Sequence, residues 1–290
     1  MDKILNTTSQ ETLYSSVSER LNIDKPYIQH YIMRNMFKIN RVSDVDEIDI
    51  YDFFKTLSNI SKIDYRDFNN ISFDTITVAH LTTRINSDNI RQQSLYNLFD
   101  ALVKKTDLSE LLKENEFEFY MYPEGLQTRY KGQIINWKNY FNGYNSSSAK
   151  MVNRRFLGSK NISTDKCING FLFNGNIHNN RDVSHIYYSP EILQSICAVL
   201  KRRDIEKYWE KNANRYVVIF KTDIQNAVFD NKPRLTIKQR TFRIYRYIIY
   251  YLSKMSLYVW NENYNPIIRL KDNLNVPASD IIDVIKIKER

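Results

Sequence analysis

The beginning of the chain carries hydrophobic residues at the spacing of helices. Leu13, Val17 and Leu21 recur every four residues and fall on one helix face, and the same spacing continues through two further segments. No glycine occurs before Gly125, so the residue that tight turns between strands prefer is missing there. We therefore predict an N-terminal helical region over residues 1–66.

Beyond about residue 70 the pattern changes to alternating strands and helices. β-Branched residues fill Thr75–Val78, which predicts a half-buried strand. Ser87 or Asp88 can cap the next helix, whose apolar positions recur at helical spacing as far as Leu102. The chain thus passes from a strand directly into a capped helix.

Later segments repeat this alternation. Ser189-Pro190-Glu191 is a strong helix start, and Thr236–Leu257 carries apolar residues on one face and arginines on another. Strands are predicted at Glu116–Tyr122, Thr128–Trp137 (bent around Lys131-Gly132), Cys167–Phe173, Ile186–Tyr188, Tyr216–Phe220, Ile267–Leu270 and Ile281–Ile287.

The composition is that of a folded protein, with 42% hydrophobic and 26% charged residues. The two cysteines, Cys167 and Cys197, make no disulfide framework, and four scattered histidines offer no ligand spacing for zinc. No signal peptide is apparent, and no apolar run approaches the roughly 20 residues that span a bilayer. We expect a cytoplasmic protein without a bound metal or a membrane contact.

Positive charge is concentrated near one predicted helix. The net charge is +9, and no acidic residue occurs between Lys232 and Asn261. Arg240, Arg243 and Arg246 lie there beside tyrosines, a combination that suits single-stranded nucleic acid. These arginines are candidates for binding an acidic partner, either nucleic acid or a host protein complex, and a solvated helix face is the alternative. With 6 glycines and no GxGxxG or GxxxxGK[ST], we expect no phosphate-cradling loop.

Three candidate elements follow one another in a definite order. His80-Leu81-Thr82 lies near the end of the first predicted strand, Tyr187-Tyr188 precedes a helix start, and Glu262 precedes the closing strands. This order resembles the His…Tyr…Glu signature of the mono-ADP-ribosyltransferase superfamily, in its diphtheria-toxin-like branch. The resemblance implies an α+β fold for residues 67–290, with a split, bent β core and flanking helices behind the helical region.

The resemblance also implies NAD as the cofactor and gives each element a role. His80 would hydrogen-bond a hydroxyl of the nicotinamide-side ribose, and Thr82 would help to fix the cofactor. Tyr187 or Tyr188 would stack on the nicotinamide ring. Glu262 would orient the ribose and stabilise the positive charge that develops as nicotinamide leaves.

Each element taken singly also has a structural interpretation. His80 alone suits a core or turn histidine, and the pair Tyr187-Tyr188 suits a core or surface pair in a chain with 21 tyrosines. Glu262 alone suits a solvated loop residue. Many members of the family carry an acid or glutamine two residues before the glutamate, and here that residue is Trp260.

Three functions therefore remain open, and the sequence does not decide whether the chain is an enzyme. The first is transfer of ADP-ribose from NAD to a macromolecule, nucleic acid or protein, in phage–host conflict or phage defence, or as a toxin. The second is a non-catalytic phage or mobile-element protein, an anti-defence inhibitor, that binds an acidic host protein complex or nucleic acid. The third is a plain nucleic-acid binder.

Overall fold

The computed structural model describes residues 3–86, 88–159, 164–229 and 234–288. Helices make up 49% and strands 20% of the structure, with antiparallel sheet pairing, which confirms the expected α+β class. The more specific ADP-ribosyltransferase-like arrangement stays a prediction. Within the described residues, no helix is both long and apolar enough to cross a membrane.

The helices begin where side chains satisfy their free backbone amides. Ser9 and Thr12 form a reciprocal capping box at the first helix, and Thr236 and Gln239 form another at the last. The helices are α1 Gln10–Leu21, α2 Lys25–Asn40, α3 Ile50–Ser61, α4 Phe68–Ile71, α5 Leu98–Val103, α6 Asp107–Glu114, α7 Ser146–Leu157, α8 Glu191–Leu200, α9 Arg203–Asn212 and α10 Ile237–Ser256. The three helices predicted for the N-terminal region are thereby confirmed.

The strands form a larger and a smaller sheet. They are β1 Ile4–Leu5, β2 Thr75–Arg84, β3 Phe117–Tyr122, β4 Gly125–Tyr130, β5 Gln133–Ile134, β6 Asn169–Phe171, β7 Asn214–Asp223, β8 Ala227–Phe229, β9 Ile267–Leu270 and β10 Ile281–Lys286. The larger sheet has the order β10-β7-β2-β6-β9-β8, with β1 beside β2, and the smaller has the order β3-β4-β5. β1 runs parallel to β2, whereas β6 pairs antiparallel with β2.

The chain divides into two compact units. Unit 1 comprises residues 1–79, 170–180 and 219–269, and unit 2 comprises residues 80–169, 181–218 and 270–290. The predicted helical region 1–66 thus belongs to unit 1 together with α10. The predicted boundary between residues 66 and 67 stays a prediction.

Aromatic side chains form the centre of unit 1. Tyr245 of α10 is fully buried, and its ring meets Phe54 of α3 edge to face, with centroids 4.9 Å apart. The hydroxyl of Tyr245 donates a hydrogen bond to the carbonyl oxygen of Ile71 at 2.9 Å. Because its hydroxyl is satisfied inside the core, this tyrosine joins α10 to the N-terminal helices without an unpaired polar group.

Unit 2 has its own core of large side chains. Trp137, Phe156 and Trp209 are each at most 1% exposed, and the rings of Trp137 and Phe156 pack edge to face. The predicted single strand over Thr128–Trp137 is wrong. Lys131 and Gly132 both take positive φ, and Tyr130 pairs with Gln133, so the chain reverses in a two-residue hairpin.

The long helix predicted between residue 87 or 88 and Leu102 is also wrong. Leu95 exchanges two backbone hydrogen bonds with Val276, each 2.9 Å long, which holds it extended. Helix α5 begins only after Asn97, whose side-chain oxygen accepts hydrogen bonds from the backbone amides of Phe99 and Asp100. Asp88 lies in a turn, and Ser87 lies outside the described residues.

A third correction concerns the tyrosine pair. Residues Ser184–Tyr187 form a 3-10 turn rather than a strand, because the amides of Ile186 and Tyr188 each bond a carbonyl three residues back. Helix α8 then starts after Pro190, without a side-chain cap from the serine that precedes the proline.

Candidate functional site

One edge of the site is the last part of β2, which belongs to unit 2. His80, Thr82 and Arg84 are half-buried, whereas Leu81 and Thr83 between them are 5% and 3% exposed. Side chains of a strand alternate between its two faces, so His80, Thr82 and Arg84 share one accessible face. We refer to these three residues as the β2 face.

On the opposite side of this part of the strand, Thr83 makes a buried polar contact. Trp209 of α9 donates a hydrogen bond from its indole nitrogen to the hydroxyl of Thr83 at 2.9 Å. Both residues are buried, and a buried hydrogen bond with no water to replace it resists rotation of the strand. The β2 face therefore has a defined direction.

His80 is held in one orientation and one tautomer. Its Nδ1 lies 2.7 Å from the carbonyl oxygen of Asn169 at the start of β6. A carbonyl oxygen only accepts hydrogen bonds, so Nδ1 carries the proton and Nε2 keeps its lone pair. No other partner of this ring occurs among the described residues, and Nε2 is thus an unused acceptor.

Burial keeps this imidazole neutral. It lowers the pKa of His80 to about 4, the hydrogen bond to Asn169 opposes the change, and the charge of Arg84 reinforces it. The residue as a whole is nevertheless only half-buried. A side chain that is desolvated by surrounding protein but still accessible occupies a recess. Recessed, neutral and oriented histidines are suited to accept a hydrogen bond from a ligand hydroxyl.

Arg84 is the residue of this face that the sequence interpretation missed. Burial lowers its pKa, and the nearby charge of Asp107 opposes that effect. The available signal was the alternation of apolar Ala79 and Leu81 with His80 and Thr82, because its continuation places Arg84 on the face of His80.

The two predicted tyrosines lie in the same unit as the β2 face. Their rings meet edge to face with centroids 5.4 Å apart. The guanidinium of Arg215 covers the Tyr187 ring at 4.8 Å and donates to its carbonyl oxygen at 3.1 Å. Tyr188 is 55% exposed. Tyr187 is therefore engaged within the unit, whereas Tyr188 presents a ring to solvent.

Glu262 lies in unit 1 and anchors a loop there. One carboxylate oxygen accepts a hydrogen bond from the indole nitrogen of Trp260, and the other accepts from the side-chain amide of Asn265, both at 3.2 Å. Its backbone carbonyl oxygen accepts from Asn180 at 2.7 Å. Gly175 leaves room for the carboxylate, since a Cβ there would lie 2.6 Å from Oε1. The catalytic role predicted for Glu262 stays a prediction.

The three arginines predicted to bind a partner face inward to different degrees. Arg243 is 8% exposed and pairs with Asp46 at 2.5 Å. Arg246 pairs with the same carboxylate at 3.3 Å and donates to the carbonyl oxygen of Ile48. Arg240 is half-buried, and its Nε is enclosed. Two of the three charges thus stabilise α10 within unit 1, and their role toward an acidic partner stays a prediction.

The candidate site lies in an α+β protein, and its polar side chains His80, Thr82 and Arg84 are carried by strand β2. Among the described residues, no group of three or more histidine, cysteine, aspartate or glutamate side chains could hold a metal ion. Comparison with protein-family models, with curated proteins and with solved structures gives no match.

Proposed function

We propose that this protein binds NAD at the β2 face and transfers ADP-ribose from it to a macromolecule. The observation that carries the proposal is the state of His80, which is neutral, recessed and fixed through Nδ1 on the carbonyl of Asn169. This is the state that the predicted contact with a ribose hydroxyl requires, because only an unprotonated Nε2 can accept that hydrogen bond.

The residues of this face fit a nucleotide sugar. The Nε2 atom of His80 would accept from a ribose hydroxyl, and the half-buried hydroxyl of Thr82 lies two residues further along the same face. A carbonyl-bound histidine cannot rotate away without losing a 2.7 Å hydrogen bond. Polar groups that are fixed before the ligand arrives lose little conformational entropy on binding.

The reaction follows ordinary glycosidic chemistry. The bond between C1′ of the ribose and the nicotinamide nitrogen breaks, and nicotinamide leaves with the bonding electron pair. A nucleophilic atom of the acceptor forms the new bond to C1′ and releases its proton to solvent. The part of this chain is to hold the ribose in place, since a fixed sugar lowers the entropic barrier to substitution.

Binding and transfer are tested separately. Titration calorimetry with NAD should show binding to the wild-type protein and at least about tenfold weaker binding to His80→Ala, since the hydrogen bond between the ligand and Nε2 is lost. His30→Ala, which changes an exposed histidine of α2, is the matched control and should bind like wild type. Absence of NAD binding by the wild-type protein would refute the proposal.

Transfer is measured with NAD labelled in its adenylate part, incubated with protein extract or with nucleic acid. Label is expected on one of these two acceptors, and His80→Ala should reduce it together with NAD affinity. Glu262→Gln in the same assay tests the separate prediction for that carboxylate. If NAD binds and no label is transferred to either acceptor, the protein binds NAD without the proposed activity.

A further inference from the structure

Arg84 carries a charge in the recess of the β2 face without a partner to neutralise it. Among the described residues, its guanidinium forms no hydrogen bond and no ion pair, and none of its nitrogens is enclosed. We propose that Arg84 binds the diphosphate of a nucleotide whose ribose is held by His80. This inference rests on the proposed function, because it assigns the next group of the same ligand.

Three other recessed arginines of this protein are each neutralised by a carboxylate. Arg243 pairs with Asp46 at 2.5 Å, and Arg155 pairs with Glu191 at 2.5 Å. Arg202 makes a two-pronged contact with its neighbouring aspartate and also donates to a tyrosine hydroxyl and an asparagine side chain. A charge withdrawn from water is costly unless it is paired. Arg84 departs from this pattern.

The carboxylate of Asp107, whose charge acts on Arg84, does not pair with its guanidinium. Asp107 accepts a hydrogen bond from the backbone amide of Asn86 at 2.9 Å, at the start of α6. Its charge acts on Arg84, but the two side chains form no ion pair within the described residues. Asp107 thus bonds the chain locally and leaves the guanidinium of Arg84 without a carboxylate in contact.

Arg240 differs from Arg84 in how far a ligand could reach its guanidinium nitrogens. It also lacks a full set of partners, but its Nε is enclosed by protein, so no ligand can reach that atom. The nitrogens of Arg84 remain accessible. An accessible, planar guanidinium with five donors matches two phosphate oxygens at once.

The strand sets the direction of the ligand. His80 and Arg84 are four residues apart on one face, which corresponds to about 13 Å of strand, with Thr82 midway. The long side chain of Arg84 can lean back along this distance. The ribose at His80 would thus be followed by phosphate toward Arg84. Because the chain has 6 glycines and no phosphate-binding loop motif, side chains must meet the phosphate charge.

Inorganic pyrophosphate is the probe that tests Arg84 independently of NAD. Calorimetric titration of the full chain at low salt should show binding that weakens as salt is raised. Arg84→Gln should weaken it by about tenfold to a hundredfold, as expected for charge-assisted hydrogen bonds. Arg154→Gln, which removes an exposed arginine of α7 in the same unit, should change it by less than about twofold.

Arg84→Lys is a second variant that keeps the test decisive if Arg84→Gln does not fold. Lysine keeps the charge but cannot hold two phosphate oxygens in one plane, so pyrophosphate should bind several-fold more weakly than to wild type and more tightly than to Arg84→Gln. Equal thermal unfolding of the three proteins shows that the fold is intact. If Arg84→Gln does not fold, the comparison of wild type with Arg84→Lys decides, and equal affinities would overturn the proposal.

The outcomes separate this inference from the proposed function. Pyrophosphate binding that is lost in Arg84→Gln and kept in His80→Ala supports the assignment of Arg84 as the diphosphate-binding residue. The titration with NAD then tests the proposed function separately. Pyrophosphate that fails to bind the wild-type protein, or that binds Arg84→Gln equally well, overturns the assignment even if NAD binds.

Discussion

Replacement of His80 by glutamine should remove a specific part of the pH dependence of stability. In the folded protein the pKa of this imidazole is lowered from 6.5 to about 4, chiefly by burial. The unfolded chain therefore binds more protons than the folded one between these two pH values. The stabilising contribution is fully present above pH 6.5 and is lost as the pH falls toward 4.

The size of this effect follows from the two pKa values. A group that shifts from 6.5 to about 4 costs about 2 kcal/mol of folding free energy by pH 5. Because His80 is only half-buried, solvent screens its charge and lowers the expected loss to about 1–2 kcal/mol. Most carboxylates are still ionised at pH 5, so their protonation does not obscure the change.

Urea denaturation at pH 7, 6 and 5 measures the loss. The wild-type protein should lose about 1–2 kcal/mol more than His80→Gln over this range, whereas His30→Gln should keep the wild-type slope. An NMR titration of the His80 ring gives the same answer directly, because its Hε1 signal should stay unchanged down to pH 5. A wild-type slope in His80→Gln, or protonation of His80 near pH 6.5, would refute the recessed state on which the proposed function depends.

Three further changes test single contacts. Gly175→Ala should lower the free energy of unfolding by about 1–3 kcal/mol, because its Cβ would lie 2.6 Å from the Glu262 carboxylate; an unchanged urea midpoint would contradict this packing. Asp46→Ala should cost about 1–3 kcal/mol, since Arg243 loses its 2.5 Å partner; equal stability would show that the pair contributes nothing. Burial raises the pKa of the Cys197 thiol to about 12, so a thiol reagent should modify it only in denaturant, and mass mapping of labelled native protein would reveal any exception.

Local signals predicted the elements whose cause lies within a few residues. The β-branched run from Thr75 predicted the start of β2, and Thr236 predicted the start of α10, where it caps the helix. His80 was singled out from its place at the end of that run. The strand continues to Arg84, however, and His80 therefore lies within it.

Contacts between distant residues limited the rest. The arginines of α10 look like a free basic surface in the sequence, but Asp46 lies 197 residues before Arg243 and neutralises it. Leu95 fits a helix by its spacing, yet a bridge to Val276 holds it extended. Local spacing contains no record of such partners, so it could predict neither the ion pair of Arg243 nor the extended backbone at Leu95.

The hydrogen bond between Trp209 and Thr83 has a consequence for how this protein can evolve. It holds β2 from the side opposite to His80, Thr82 and Arg84, so this part of what positions the strand does not depend on those three side chains. Substitutions there can alter the chemistry of the β2 face while the scaffold persists. Descendants of this chain could therefore vary the side chains of the β2 face by single mutations, with little loss of foldability.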